Sequence, residues 1–268
     1  MAVITISRGS FSGGTLIARG LADMLGLRLI DRDVIVEKAA AYGVSQDVLR
    51  NALEKPPGFW DRFRDTKYAY LTLIQAALTD QMRQGRAVYH GNAGHLLLRG
   101  VSHVVRARII APLAFRLAMV QDRLGLSPEE AQAHIARADQ DRRKWTQFLY
   151  GVDWGDPSLY DLVLNLEALD VGQACQVIAT AAEQRCFAET TDSQAAMDNL
   201  ALASRVRASL VVSPATAHIE VEVVARGGAV SIRGRLANVQ LISDVRRVAT
   251  QVPGVESLDL DLFADVEA

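Results

Sequence analysis

Residues 4–18, ITISRGSFSGGTLIA, decide how the rest of the chain is read. Val3, Ile4, Thr5 and Ile6 are β-branched or apolar, as a parallel strand buried on both faces requires. Ser10, Ser12, Gly13 and Gly14 then leave so little side chain that backbone N–H groups can close on an anion, where the next helix presents its positive end. Ile17, Ala18, Leu21, Ala22 and Leu25 recur at helical spacing. The segment therefore reads as strand, loop, helix. Gly9 and Gly14 keep the spacing of the phosphate loop G-x-x-x-x-G-K-[ST], but Thr15 occupies the lysine position and Leu16 that of the metal-holding hydroxyl. Two readings stay open on these residues alone: a phosphate-binding loop, or a strand-to-helix turn whose glycines are steric.

The chain has 268 residues, 50% hydrophobic and 22% charged, enough for a substantial core in one large or two modest domains. A formal charge of −2 argues against nucleic acid as the main partner. Cys175 and Cys186 lack metal-like spacing and read as free thiols of a reducing compartment. No basic-then-apolar leader precedes the first strand, and no apolar run approaches the ~18 residues of a membrane span. The expectation is a cytoplasmic protein without a transmembrane segment.

Beyond the first helix, Leu27–Ile30 reads as a second strand ending in Asp31-Arg32-Asp33. That triplet sits where α/β sheets gather ligands, although a helix start capped by Asp31 accounts for it equally. Helices are expected over 34–42, from Ser45 to the Pro56-Pro57 break, and from Trp60 to Arg86. The last of these, introduced by the polar-aromatic GFWDRF, reads as an excursion from the sheet of the kind that covers a substrate site. Ala87–Tyr89 is a third strand, running into His90-Gly91-Asn92-Ala93-Gly94-His95. Histidines five apart share no helix face and have no evident third ligand, so no metal site is expected there. His103–Ile110 is a fourth strand, and a helix begins at Phe115 with Arg116 in its first turn. Ser127-Pro128-Glu129-Glu130 opens another helix by a cap, a first-turn proline and a glutamate three residues on. Its second half carries Arg137, Arg142, Arg143 and Lys144. Either these form i,i+4 pairs such as Asp139–Arg143, worth ~0.3 kcal/mol each, or they form a movable cationic surface over phosphates. Leu162–Asn165 is a fifth strand and Val171–Gln184 a closing helix. Five apolar strands separated by helices imply an α/β domain with a parallel sheet and helices on both faces.

The polar stretch at 187–195 reads as a linker between residues 1–186 and 196–268. After it come a helix over 197–210, an alternating strand over 218–224, a turn at Gly227-Gly228, a returning strand over 229–234, a helix over 239–252 and a last strand, SLDLDLF. This is a small α+β domain of three strands and two helices, with no catalytic constellation in it.

Taken in order, ITISRxxxSGGxxIA, IDRDVI, VVRARIIAPLAFR, the D-x-x-R of Asp139 to Arg142 and YGVDWGDPSLYDLVLN resemble the cytidylate kinase-like family of P-loop nucleoside monophosphate kinases. The tail, with IEVEVVARGGAVSIRGRL and PGVESLDLDL, resembles a BON domain, a type associated with phospholipid surfaces or other macromolecular partners. The kinase resemblance implies transfer of the γ-phosphoryl group of ATP, with Mg2+, to a nucleoside monophosphate. It puts Ser12, Gly13, Gly14 and Thr15 on the phosphate loop. Arg116, Arg137 and Arg142 fall near the arginines that act on ATP and the transferring group, and Asp31, Arg32 and Asn92 fall on the acceptor side. Three departures stand against this pattern. The loop lacks a cation after Gly-Gly; Phe11 replaces a glycine and is expected to crowd the phosphate; and Asn92 stands where relatives carry arginine, bringing neither charge nor a bidentate fork. The readings are therefore a phosphotransferase, a catalytically degenerate nucleotide sensor, or an adaptor working through the BON-like tail.

Overall fold

A computed structural model describes residues 2–47, 49, 64–91 and 93–264. Cα proximity divides the chain into two compact units, Met1–Arg32 with Gly85–Thr190, and Asp33–Gln84 with Thr191–Ala268.

The first unit is built on five parallel strands: β1 (Val3–Arg8), β2 (Arg28–Asp31), β3 (Ala87–His90), β4 (Val104–Ile110) and β5 (Leu162–Asn165), in the spatial order β2-β3-β1-β4-β5. Helix α1 (Gly14–Leu25) follows β1, ends at left-handed Gly26 and presents Ile17, Ala18 and Leu21 to the sheet. Those side chains join Ile4, Ile6, Val105, Ala107 and Ile109 in one core with Ala174 and Ile178 of a later helix (Val171–Ala182). Each such fully buried aliphatic contributes about 1.5–3 kcal/mol. The opposite face of the sheet is polar, because the alternation of β4 turns Arg106 and Arg108 away from this core and the register sets them beside Thr5 and Ser7 of β1. The fourth strand is therefore not apolar on both sides.

Between β2 and β3 in the chain come α2 (Arg32–Ala40), which belongs to the second unit from Asp33 onward, and α3 (Arg64–Met82) of that same unit. Of the expected helix before Pro56, residues 46, 47 and 49 are helical and the rest lies outside the described residues, as do Pro56, Pro57 and GFWDRF. With α4 (Gly94–Leu97), α5 (Leu113–Leu124), α6 (Pro128–Tyr150) and α7 (Val171–Ala182) in the first unit, the next long helix is α8 (Thr191–Val212). It starts six residues earlier than the periodicity of 197–210 suggests, with Asp192 stabilising its first turn. It packs on α3, and polar ties join the two: Arg83 Nε to Asp198 Oδ1 at 2.8 Å and Arg207 Nη2 to Gln75 Oε1 at 3.1 Å. The remaining elements are β6 (Glu222–Arg226), β7 (Ala229–Leu236), α9 (Gln240–Thr250) and β8 (Ser257–Ala264). They form the expected small sheet, β6-β7-β8, with β7 antiparallel to β6 and parallel to β8. Val206, Leu210, Val223, Ile232 and Val245 fill its core. Among the described residues no helix is long and apolar enough to cross a membrane.

Candidate functional site

The loop after β1 is pinned from beneath. The Ser12 hydroxyl is fully buried and lies 2.9 Å from the carbonyl oxygens of both Gly9 and Ile109, while Gly9 N donates to Ile109 O. Ser12 therefore shapes the loop with its side chain spent on backbone. Gly13 takes φ +80°, and a Cβ there would stand 2.9 Å from Leu166 Cδ1, so only glycine suits the turn. Phe11, also at positive φ, does not crowd the loop interior as expected. Its ring packs edge-on to His134 at 5.5 Å and joins Val120, Ala131 and Ile135 between α5 and α6. That burial compensates a left-handed conformation costing about 1–2 kcal/mol for a non-glycine residue.

Helices α5 and α6 bring arginines down onto this loop. Ser127 caps α6 through a reciprocal box with Glu130, as its sequence predicts. Asp139 does not pair with Arg143. It accepts from Ser10 N at 3.0 Å and from Arg116 Nη2 at 2.5 Å, and Arg116 Nε donates to Ser10 O at 2.7 Å. The reason is position: half-buried Asp139 faces Ser10 N and Arg116, whereas Arg143 lies on the exposed side and reaches Asp153 at 3.8 Å. One turn along the Asp139 face, Arg142 donates to Arg8 O and lies 5.5 Å from the Trp154 ring.

From the sheet side, Arg8 points at His90 Nε2, and Thr15 Oγ1 lies 3.4 Å from that same nitrogen. On the polar face, Arg108 stacks at 4.3 Å on Trp154 and 5.6 Å from Tyr160, and donates to Trp154 O. The His95 ring continues the stack, 4.6 Å from Tyr160. Arg106 is spent differently, on a bidentate pair with Asp161 at 3.0 and 2.6 Å.

Positive charge is thus concentrated with few carboxylates to answer it. Burial, then the charges of Arg142, Arg123 and Arg32, push the Arg8 guanidinium down to about 10. Arg142 is lowered by burial, then by Arg116 and Arg108 against the pull of Asp139. Such mutual repulsion is what a bound anion relieves.

His90 is held down to about 3, first by burial and then by Arg8, and His95 to about 4, by burial and then by Arg106. Unfolded, both rings protonate near 6.5. The unfolded state therefore binds more protons from about pH 6.5 down to about 4 for His95 and about 3 for His90, so stability falls as pH drops through that window and is insensitive to these rings above it. Each ring is expected to remove up to about 1.4 kcal/mol per pH unit. Urea denaturation across that window should show a shallower fall for a His90→Asn/His95→Asn double variant; equal slopes would refute the assignment.

Of the residues expected from sequence, Ser12, Gly13, Gly14, Thr15, Arg116 and Arg142 meet at the loop. Asp31 ends β2 beside His90 in register, and half-buried Arg32 opens α2, close enough for its charge to act on Arg8. Arg137 is exposed on α6 and is not among the residues joined there. Asn92 lies outside the described residues. Arg8, His90, Arg108 and Trp154 were not singled out as site residues; the available signal was Arg106 and Arg108 alternating with apolar residues within one strand. The position that holds magnesium in a P-loop does not fit that ion here, because Leu16 is apolar, and Thr15 Oγ1 lies beside His90. Among the described residues no three His, Cys, Asp or Glu side chains are grouped to hold a metal.

The model of the cytidylate kinase-like family matches residues 3–168. The cytidylate kinase of Pyrococcus horikoshii is 30% identical over 164 residues, spanning 61% of this chain and 79% of that protein. That of Pyrobaculum aerophilum is 26% identical over 177 residues, spanning 66% and 90%. A crystal structure of an uncharacterized protein from Eubacterium ventriosum superposes with a TM-score of 0.56 at 19% identity, covering 69% of this chain and all, 100%, of that one, a likeness of fold. With the parallel sheet, the glycine loop and the arginines of α5 and α6 in their order, the chain belongs to the cytidylate kinase-like family.

Proposed function

We propose that this protein binds nucleoside phosphates at the loop of residues 9–15 and transfers a phosphoryl group from ATP to a nucleoside monophosphate. The observation that carries the reading is the crowd of arginines, Arg8, Arg116 and Arg142 foremost, around a glycine-rich helix start, with Asp139 the carboxylate bonded to its backbone. Phosphoryl transfer asks little covalent chemistry of a protein, so positioning and cations on the developing charge are the means available here. Gly13, Gly14 and Thr15 would receive phosphate oxygens on backbone N–H groups, and Arg116 and Arg142 would hold the transferring group. The end of β2, with Asp31 and Arg32, would serve the acceptor. The family membership supports nucleotide chemistry; the choice of monophosphate and the part of the BON-like tail, whether toward a phospholipid surface or a protein, belong to this proposal alone.

A degenerate nucleotide sensor is the second reading, favoured by Thr15 in the lysine position. Incubation of the purified protein with ATP, magnesium and a panel of monophosphates separates the two. Product formation above an Arg142→Ala control is expected; a nucleotide-induced rise in Tm without product would leave the sensor, and neither effect would remove both.

A further inference from the structure

We propose that Arg8 is the phosphate-loop cation of this protein, occupying from the strand side the place that lysine takes at position 15 of a P-loop, and that His90 is its positioning residue. The inference rests on the reading of the loop as a nucleotide phosphate site and names the group that neutralises the β- and γ-phosphates there.

Three observations carry it. First, the route of the side chain: a Cβ on Gly14 would lie 2.8 Å from Arg8 Cβ and 2.6 Å from Arg8 Cδ, so the arginine stem crosses the first residue of α1. Second, its end point: Arg8 Nη1 contacts His90 Nε2, and Thr15 Oγ1 lies 3.4 Å from that same atom. The guanidinium therefore arrives beside the side chain that stands in the lysine position. His90 is fixed for this task, since β3 pairs with β1 in the register Ile6↔His90 and the ring is buried. Third, its charge is unanswered. Among the described residues Arg8 makes no ion pair, its partner is an imidazole, and it lies over a helix N-terminus whose first turn carries no acidic residue. A cation on the positive end of a helix, with Arg142 close by, is unfavourable unless an anion joins it. A purely structural arginine would be expected to sit against a carboxylate, as Arg106 does against Asp161.

This arrangement also accounts for Gly-Gly without lysine. Gly14 makes room for the incoming stem, and a long side chain at position 15 would compete with the guanidinium for the same space.

The test uses the full chain and reads ATP and pyrophosphate affinity by calorimetry, together with the Tm of the free protein. Arg8→Met is expected to weaken both ligands about 10- to 100-fold, the range of one charge-assisted contact, while leaving the free protein at least as stable, because a repelled cation has been removed. Adding Thr15→Lys to that variant should restore binding. His90→Leu should weaken ATP about 10-fold, and His90→Gln, which keeps an acceptor, should not. If wild-type protein binds ATP while Arg8→Met binds it equally well, or melts lower, or is not rescued by Thr15→Lys, the assignment of Arg8 is overturned and the site survives. Wild-type protein that binds neither ATP nor pyrophosphate overturns the site and the assignment together.

Discussion

Replacement of Arg142 by alanine is expected to lower phosphoryl transfer about 10³-fold, the scale set by losing a transition-state arginine. The side chain is held on two sides, by Arg8 O and by the Trp154 ring, and that ring is itself held by Arg108. Its guanidinium thus reaches the loop already oriented and already desolvated, with repulsion from Arg116 and Arg108 in place of a salt bridge. Interactions that are poor in the free protein and good with developing charge raise turnover rather than affinity. The loss should accordingly fall on kcat with KM little changed, and Arg142→Lys should recover little, since a point charge cannot reproduce the fork that spans carbonyl and phosphate. Steady-state kinetics with the acceptor that turns over decides it. A loss confined to KM would make Arg142 a binding group only.

A marked effect on the folded state and on the loop together is expected from Gly14→Ala. Its Cβ would stand 2.6 Å from Arg8 Cδ and 2.8 Å from Arg8 Cβ, and the latter atom, fixed to the backbone of β1, cannot swing away. Either β1 and α1 separate slightly or the arginine leaves its course; overpacking of this kind costs about 1–3 kcal/mol. Because Arg8 is displaced in both cases, triphosphate affinity should fall alongside Tm. A variant with wild-type Tm and wild-type ATP affinity would contradict the packing described. Gly26→Ala is the useful comparison: that glycine ends α1 at φ +60° with open space around it, so strain appears there without any change at the loop.

Much of the fold was legible because its strands obey simple rules. β1, β3 and β5 are short, largely apolar runs ending in arginine, histidine and asparagine, and periods of 3.6 or 2 separate the helices from the tail strands. The closing helices were bounded well where a cap speaks, as at Ser127, and less well where packing decides, as at Thr191. The site was legible in part. Residue types at the loop announced phosphate chemistry, but Ser12 turned to the backbone of Gly9 and Ile109, and Phe11 to a hydrophobic pocket between helices. Neither direction is encoded in spacing. Asp139 illustrates the general difficulty: an i,i+4 partner is visible along a helix, whereas a loop 129 residues away in sequence is not. Arg8 is not legible from spacing because it ends a strand instead of opening a helix, and its contact is a histidine delivered by a different strand.

The pairing of α3 with α8 carries a consequence for the order in which the chain is made. Residues 64–82 leave the ribosome more than a hundred residues ahead of the helix that covers them, and they carry Leu73, Ala77 and Leu78, all buried in the finished protein. The parallel sheet can close without that partner, since its strands are complete at Asn165. Until α8 is made, α3 lacks the helix it packs against in the finished protein, and its buried residues are open to self-association. A chain ended at residue 190 would lack that partner permanently and is expected to expose Leu73, Ala77 and Leu78.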